Sequence, residues 1–213
     1  MEQRTVERCR KPAILMHWLF AIVFFVMLLT GGIMFFDLAG MDGGVRVRTI
    51  HRVAAVFFVF LPVLFVLFNP KSAIGFLKEA FIWDHDAAVW LKRSFGYYFR
   101  GKRQMPPQGY LNGDQKLWQL IVTVSGLIAI MTGILLWFFK LKISLVFYQW
   151  ILLTHAASFM VVLFLFPVHF YLTTLYSGFE ESLSSMIDGK VSESYAREHY
   201  KKWFEEKTGE EQG

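Results

Sequence analysis

Four long apolar segments dominate this 213-residue chain, in which 55% of the residues are hydrophobic and 18% are aromatic. About 20 apolar residues are enough for an α-helix to cross the ~30 Å hydrocarbon core of a bilayer. Inside that core only helices and closed barrels satisfy their own backbone hydrogen bonds. We therefore predict an all-α integral membrane protein, a bundle of four transmembrane helices. The predicted spans are about 13–36, 45–68, 117–139 and 144–172.

The second span is the least regular of the four. Its uninterrupted apolar run, residues 53–68, contains only 16 residues, which is about 24 Å of helix. The helix must therefore extend back through the arginine-containing stretch 45–52 to cross the membrane. Arginine stems can lie along apolar surface while their charged ends reach the interface, so His51 is expected just inside the hydrophobic region.

Positive charge is distributed unequally between the two predicted sides of the membrane. The N-terminus, the 69–116 loop and the C-terminal tail carry 17 of the 22 Lys and Arg residues. Positively charged loops favour the cytoplasmic side, so we expect both termini and the long loop in the cytoplasm. Helix-like spacing of apolar residues in that loop predicts amphipathic helices at the membrane surface. The net charge of +5 is explained by this topology, and no nucleic-acid partner is expected.

Four histidines lie within the predicted spans: His17, His51, His155 and His169. An ionisable side chain is costly in hydrocarbon and needs a polar partner, a water-filled cavity or a metal. His155 and His169 are fourteen residues apart on one helix, so they point within about 40° of each other and are separated by roughly 21 Å along the axis. The predicted topology pairs His51 with His155 near the outer face and His17 with His169 near the cytoplasmic face.

Two histidines at each of two depths suggest two bis-histidine haems, because neutral imidazole is a metal ligand. The sequence contains no Cys-x-x-Cys-His motif, so the haems would be b-type and held by coordination and packing. The alternative for any single histidine is an ordinary packing role. Zinc is a weaker alternative, because its sites require three or four clustered ligands. His85 and His199 are expected on solvent-facing segments and not as ligands.

Short motifs surround these histidines, and two further motifs lie in the loop and the tail. They are Met16-His17-Trp18, Arg48-Thr49-Ile50-His51, His155-Ala156-Ala157, His169-Phe170-Tyr171, the segment 112–116 and the tail segment 186–191. With the length and the four spans, these motifs resemble the cytochrome b (gamma) subunit of respiratory formate dehydrogenases. That family lies within a wider group that includes the cytochrome b subunits of nickel–iron hydrogenases. The resemblance covers essentially the whole chain.

The resemblance implies a dihaem b-type cytochrome of anaerobic respiration in the bacterial inner membrane. It implies His51 and His155 as ligands of the outer haem and His17 and His169 as ligands of the inner haem. The chain would not oxidise formate itself, but would receive electrons from an iron–sulfur beta subunit bound to a molybdenum or tungsten catalytic alpha subunit. Residues 1–175 would form the haem-binding transmembrane domain and 176–213 a cytoplasmic helical tail. The whole complex could assemble into a higher oligomer.

The resemblance also implies a site for menaquinone, or another quinone, near His169, Asn112 and Gln115. Asp114 stands where the family usually has glycine. It is either a relay for a cytoplasmic proton or an acid favoured by the dipole at a helix N-terminus.

Two other functions stay open from the sequence. One is a cytochrome b subunit of a membrane-bound hydrogenase or thiosulfate reductase. The other, from a different class, is a haem-free membrane anchor or a histidine-lined proton path.

Overall fold

The computed structural model describes residues 4–100 and 104–209. The first three residues of the predicted transmembrane domain, residues 101–103 of the predicted cytoplasmic loop and the last four residues of the predicted tail therefore lie outside the described residues. The helices, in chain order, are α1 (Lys11–Phe35), α2 (Gly40–Phe68), α3 (Pro70–Phe81), α4 (His85–Arg100), α5 (Gly113–Ile134), α6 (Leu145–Phe170), α7 (Glu180–Ser185), α8 (Glu193–His199) and α9 (Lys201–Thr208). Two short strands, β1 (Thr5–Glu7) and β2 (Lys190–Ser192), and two π-helical segments, Leu135–Phe139 and Tyr171–Leu175, complete the described secondary structure.

Among the described residues, four helical stretches are long and apolar enough to cross a membrane: Lys11–Phe35, Gly43–Phe68, Gly113–Phe139 and Leu145–Leu175. The last two include π-helical ends that continue α5 and α6. The number of these stretches confirms the predicted all-α bundle of four transmembrane helices. The second helix does extend back through its arginines, since α2 starts at Gly40 and has 29 residues. The guanidinium of Arg52 lies 5.5 Å from the centre of the Trp137 ring, a cation–π contact that suits a charge near the end of a span.

One compact unit, called here the helix-bundle unit, consists of residues 15–70 and 121–168. Aromatic side chains join its helices. Phe20 of α1 packs against Phe58 of α2 at a ring distance of 4.6 Å, and Phe24 of α1 lies 5.6 Å from Phe166 of α6. On α5, Gly126 faces the same Phe58 ring, where a Cβ atom would lie at 3.6 Å. Much of the remaining apolar side-chain area is exposed, as expected for helices whose outer faces contact lipid.

A second compact unit, called here the loop-and-tail unit, contains the described parts of residues 1–14, 71–120 and 169–213. β1 pairs with β2 in antiparallel register, with Val6 opposite Val191. Neither strand is predicted by the sequence pattern. The buried apolar cluster beneath them contains Val191, Tyr195, Ala196, Tyr200 and Phe204. The tail is therefore helical, as predicted, but one of its segments is a strand.

The long loop forms the two helices α3 and α4. Each buries small or aromatic residues on one face, Ala73 and Ala80 on α3 and Ala87 and Trp90 on α4, so both are amphipathic. At the start of α5 a Cβ atom on Gly113 would clash with the carbonyl oxygen of Ala87. Glycine at this position therefore allows the backbones of α4 and α5 to approach closely. The location of α3 and α4 at a membrane surface stays a prediction.

Candidate haem-ligand and quinone sites

His51 of α2 and His155 of α6 face each other inside the helix-bundle unit. Their ring centres are 6.4 Å apart and their planes differ by 73°. A bond between a metal and an imidazole nitrogen is about 2.0 Å long, so two imidazoles on opposite sides of one metal have ring centres about 6 Å apart. The structure thus brings these two predicted ligands to the separation that a shared metal requires.

The hydroxyl of Thr30 fixes the orientation of the His51 ring. Thr30 Oγ1 lies 2.6 Å from the carbonyl oxygen of Val26 and 2.8 Å from His51 Nδ1. Two oxygens this close need a proton between them, so the hydroxyl donates to Val26 and must accept from the His51 Nδ1–H. This tautomer leaves the lone pair on His51 Nε2, the nitrogen that is then free to bind a metal.

The same arrangement occurs at the second histidine. Thr132 Oγ1 lies 2.6 Å from the carbonyl oxygen of Ile128 and 2.9 Å from His155 Nδ1. By the same proton count, Thr132 accepts from the His155 Nδ1–H and leaves its Nε2 as the ligand atom. Both imidazoles are therefore held in the same tautomer by a threonine on a neighbouring helix.

A glycine follows each threonine and lies next to the ring. A Cβ atom on Gly31 would lie 3.7 Å from His51 Cε1, and one on Gly133 would lie 3.4 Å from His155 Cε1. Sequence reasoning missed Thr30 and Thr132. The sequence signal that could have found them is the Thr-Gly pair, which occurs in the first and third spans.

The donor set suits an axial pair of a haem iron. Histidine is a common protein ligand of haem iron, and a structural zinc ion would require four ligands. Among residues 4–100 and 104–209, the structure brings no three His, Cys, Asp or Glu side chains together as metal-ion ligands. Two opposed imidazoles, each with a fixed tautomer, fit the haem better than the zinc alternative.

His17 and His169 are described separately, since His17 belongs to the helix-bundle unit and His169 to the loop-and-tail unit. The exposed His17 ring makes an edge contact with Trp18 at 5.2 Å. His169 lies on α6, the helix that also carries His155, and its ring stacks on Trp118 at 4.5 Å with an angle of 8°. The pairing of His17 with His169 stays a prediction.

Asn112 and Gln115, the predicted quinone residues, cap the start of α5. The Asn112 side chain accepts a hydrogen bond from the Gln115 backbone at 2.9 Å, and the Gln115 side chain accepts one from the Asn112 backbone at 3.1 Å. This reciprocal pair is a capping box. Gln115 also donates to the hydroxyl of Tyr200 at 3.0 Å. The cap gives both residues a structural role, and their contribution to a quinone site stays a prediction.

Asp114 connects the first turn of α5 to α4. One of its carboxylate oxygens accepts hydrogen bonds from Trp90 Nε1 at 2.8 Å and from the Tyr98 hydroxyl at 2.9 Å. Burial, together with the nearby Asp114 carboxylate, raises the pKa of Tyr98, so Tyr98 stays protonated and able to donate. This geometry fits one of the two interpretations of Asp114 from the sequence, an acid in the first turn of a helix. It leaves the proton-relay hypothesis as a prediction.

His199 corrects one sequence expectation. It was expected to face solvent, but it is 5% exposed and lies against the rings of Phe179 at 4.6 Å and Tyr195 at 4.4 Å. It is buried because α8 turns the same face that carries Tyr195 toward the apolar cluster of the tail. This burial lowers the pKa of His199. The side chain of His85, in contrast, is 89% exposed.

Comparison with known proteins shows what this chain is similar to. A cytochrome b556 subunit of the nitrate-inducible formate dehydrogenase of Escherichia coli K12 is 24% identical over 198 residues, which cover 89% of this chain and 86% of that protein. The cytochrome b556 subunit of a formate dehydrogenase from Haemophilus influenzae is 24% identical over 213 residues, covering 94% and 83% respectively. The family model of prokaryotic cytochrome b561 matches residues 8–189. The chain therefore belongs to the prokaryotic cytochrome b561 family, whose members are membrane cytochromes that carry haem b.

Proposed function

We propose that this chain is the haem-carrying membrane subunit of a bacterial formate dehydrogenase. One observation carries the proposal: His51 and His155 oppose each other at 6.4 Å, each held by a threonine that leaves its Nε2 as a ligand atom. Family membership supports the haem. The formate dehydrogenase subunits of similar length support the choice of complex.

Two haems are proposed for each chain. His51 and His155 would hold the outer haem, and His17 and His169 would hold the inner haem. The proposal for the inner pair depends on helix geometry, since His155 and His169 share the continuous helix α6 and are separated along it by roughly 21 Å. Bound haem supplies one-electron redox chemistry, while the protein supplies ligation, spacing and a site without bulk water.

The proposed partners follow from the same resemblance. An iron–sulfur subunit would deliver electrons at the outer side, and a molybdenum or tungsten subunit would oxidise formate. Both termini and the long loop of this chain would lie in the cytoplasm, in agreement with 17 of 22 Lys and Arg residues on that side of the predicted topology. Alkaline phosphatase fused after residue 209 should be inactive in intact cells, while activity would reverse the proposed orientation.

His169, Asn112 and Gln115 are proposed to mark a quinone site at the cytoplasmic end of the span. Within the loop-and-tail unit, His169 stacks on Trp118, and Asn112 and Gln115 cap the helix on which Trp118 lies. The neighbouring Asp114 offers a direct test of the relay hypothesis. Asp114→Asn keeps the side-chain shape and removes the titrating group. A relay predicts slower quinone reduction at unchanged haem content, and an unchanged rate would leave Asp114 as a purely structural acid.

The central test is a reduced-minus-oxidised absorption spectrum of the purified protein with haem counted per chain. We expect b-type bands and two haems. His155→Ala should reduce the count to one, because it removes one of two axial ligands, while the control His85→Ala should leave two. Absence of b-type bands from the wild-type protein would refute the proposal in favour of a haem-free anchor or proton path.

The electron donor is tested separately in membranes that contain the whole complex. Formate should reduce the haems, and hydrogen should not. Reduction by hydrogen alone would assign the chain to a hydrogenase. Reduction by neither donor, with oxidation of the haems by thiosulfate, would assign it to a thiosulfate reductase.

A further inference from the structure

We infer that Thr30 and Thr132 are positioning residues that fix the His51 and His155 imidazoles and set the reduction potential of the outer haem. The inference rests on the proposed function, since it requires His51 and His155 to hold haem. Neither threonine would itself bind the iron. Each acts through the histidine whose Nδ1–H it accepts.

The two threonines form matched relays. In each, a backbone carbonyl accepts from the threonine hydroxyl at 2.6 Å, and the hydroxyl accepts from the imidazole at 2.8 or 2.9 Å. Donating to the carbonyl polarises the hydroxyl oxygen, which makes it a better acceptor for the ring N–H. A partner that accepts from the second ring nitrogen fixes the tautomer and orientation of a ligating histidine and raises its basicity.

The pairing of each threonine with a histidine is specific. Thr154 lies next to His155 on α6 and makes the same type of bond, from its hydroxyl to the carbonyl of Trp150 at 2.9 Å, but on the exposed surface of the helix. Thr30 and Thr132, in contrast, are 7% and 8% exposed. A back-bonded threonine therefore does not need to be buried, and the two buried ones are those that face a histidine.

The direction of the effect on the haem follows from the basicity of the ligand. An imidazole whose N–H is accepted by a neighbour donates more electron density through Nε2, which stabilises the oxidised iron relative to the reduced iron. Both threonines therefore lower the reduction potential of the outer haem. Loss of one neutral hydrogen bond should change the reduction equilibrium by at most about tenfold, which is about 59 mV for a one-electron couple.

The test uses the intact complex with Thr30→Val and Thr132→Val. Valine keeps the branched shape and removes the hydroxyl, and Thr30→Ser and Thr132→Ser restore the hydroxyl. Thr154→Val is the matched control. Redox titration of the b bands measures each haem, and titration with haemin measures haem affinity. Each valine variant should raise the outer-haem potential and weaken haem binding by about 10- to 100-fold, without changing the inner haem. The serine variants and Thr154→Val should behave as wild type.

The outcomes separate this inference from the proposed function. A wild-type protein without haem refutes the proposed function and the inference with it. A wild-type protein with two haems, whose valine variants have unchanged potentials and unchanged haem affinity, overturns the inference alone. Loss of the whole protein from the membrane in the valine variants and in Thr30→Ala and Thr132→Ala also counts against it, because a positioning residue acts only through the bound haem.

Discussion

The helix-bundle unit and the loop-and-tail unit satisfy their polar side chains in different ways. In the bundle, hydroxyls such as those of Thr154 and Ser158 donate to carbonyls of their own helix. Side-chain hydrogen bonds also join separate helices of the bundle, from His51 to Thr30 and from His155 to Thr132. In a segment surrounded by hydrocarbon, a polar side chain that forms a hydrogen bond to another helix is there for a specific partner.

In the loop-and-tail unit, polar and charged side chains connect short elements to one another. Buried Arg8 lies 3.7 Å from the centre of the Tyr200 ring and donates to the backbone oxygen of Tyr110 at 2.8 Å. Buried Lys116 likewise reaches from α5 to α3. Helices of six to eight residues, such as α7 and α9, are too short to be stable alone. The comparison indicates that charge substitutions should destabilise the loop-and-tail unit, while substitutions near the histidines should act on the haem.

The largest expected effect on stability is that of Lys116→Met. The Lys116 ammonium lies 2.7 Å from the Glu79 carboxylate and donates to the carbonyl oxygens of Glu79 and Ile82 at 3.3 and 3.2 Å. Removing one partner of a buried ion pair costs about 3–5 kcal/mol, and the partial exposure of Glu79 favours the lower end. Denaturant unfolding of the purified protein measures this. Lys78→Met, at an exposed position on α3, is the control, and an equal loss in both variants would contradict the assignment.

Gly133→Ala should have the next largest effect, and it should act on the haem. The new methyl group would lie 3.4 Å from His155 Cε1, at the close end of van der Waals contact, so it would restrict the movement of the ring. Overpacking costs about 1–3 kcal/mol, and a contact at this distance favours the lower end. We expect part of this cost to appear as loss of the proposed outer haem. Haem per chain and the unfolding midpoint are the measurements. Gly75→Ala, where a Cβ atom meets nothing within 4 Å, should change neither. A Gly133→Ala protein with full haem content would break the proposed link between this glycine and the ligand.

The sequence predicts the bundle because hydropathy and helical period are local properties. For the same reason it predicts that His155 and His169 point in similar directions, because both lie on one helix. The bond from Thr132 to His155 is different, because it depends on how α5 and α6 rotate against each other. The pairing of β1 with β2 joins residues at opposite ends of the chain, and a three-residue strand has too little pattern to predict.

The burial of His199 shows a limit of a different kind. Polar neighbours on both sides suggest an exposed segment, yet Tyr195, Ala196 and His199 share one face of α8 and are all buried. The spacing of these three residues was the signal for a buried face. The many charged residues around the histidine obscured this signal.

A pH titration tests this buried histidine and should have a smaller effect. Burial lowers the pKa of His199 below its ordinary value of 6.5, so between these two values the unfolded chain binds a proton that the folded chain does not. The contribution of His199 to the free energy of unfolding should therefore be complete above about pH 6.5. It should be lost as the pH drops through that value toward the folded pKa. Melting temperatures from pH 8 to pH 5 measure this for wild type and His199→Gln. The difference between the two slopes isolates His199 from other titrating groups, and identical slopes would contradict its burial as a neutral ring.

The smallest effect on stability is expected for Lys202→Met. Comparison with Lys116→Met tests whether solvent exposure determines how much an ion pair contributes to stability. Lys202 Nζ lies 2.7 Å from Asp84 and 2.6 Å from Asp86, distances like that of the Lys116 pair. Partial burial alone lowers the pKa of Lys202, but its hydrogen bonds to the two carboxylates outweigh that and raise it. The Lys202 and Asp84 side chains are 35% and 54% exposed, so water and salt screen the attraction.

Such exposed pairs contribute at most about 1 kcal/mol, and the loss in Lys202→Met should shrink further at 1 M salt, where the screening length is about 3 Å. The loss in Lys116→Met should depend less on salt, because the Lys116 side chain is only 10% exposed. Unfolding free energies of both variants at low and high salt provide the measurement. Equal, salt-independent losses would show that burial does not distinguish the two lysines, and that the loop-and-tail unit depends on ion pairs wherever they occur.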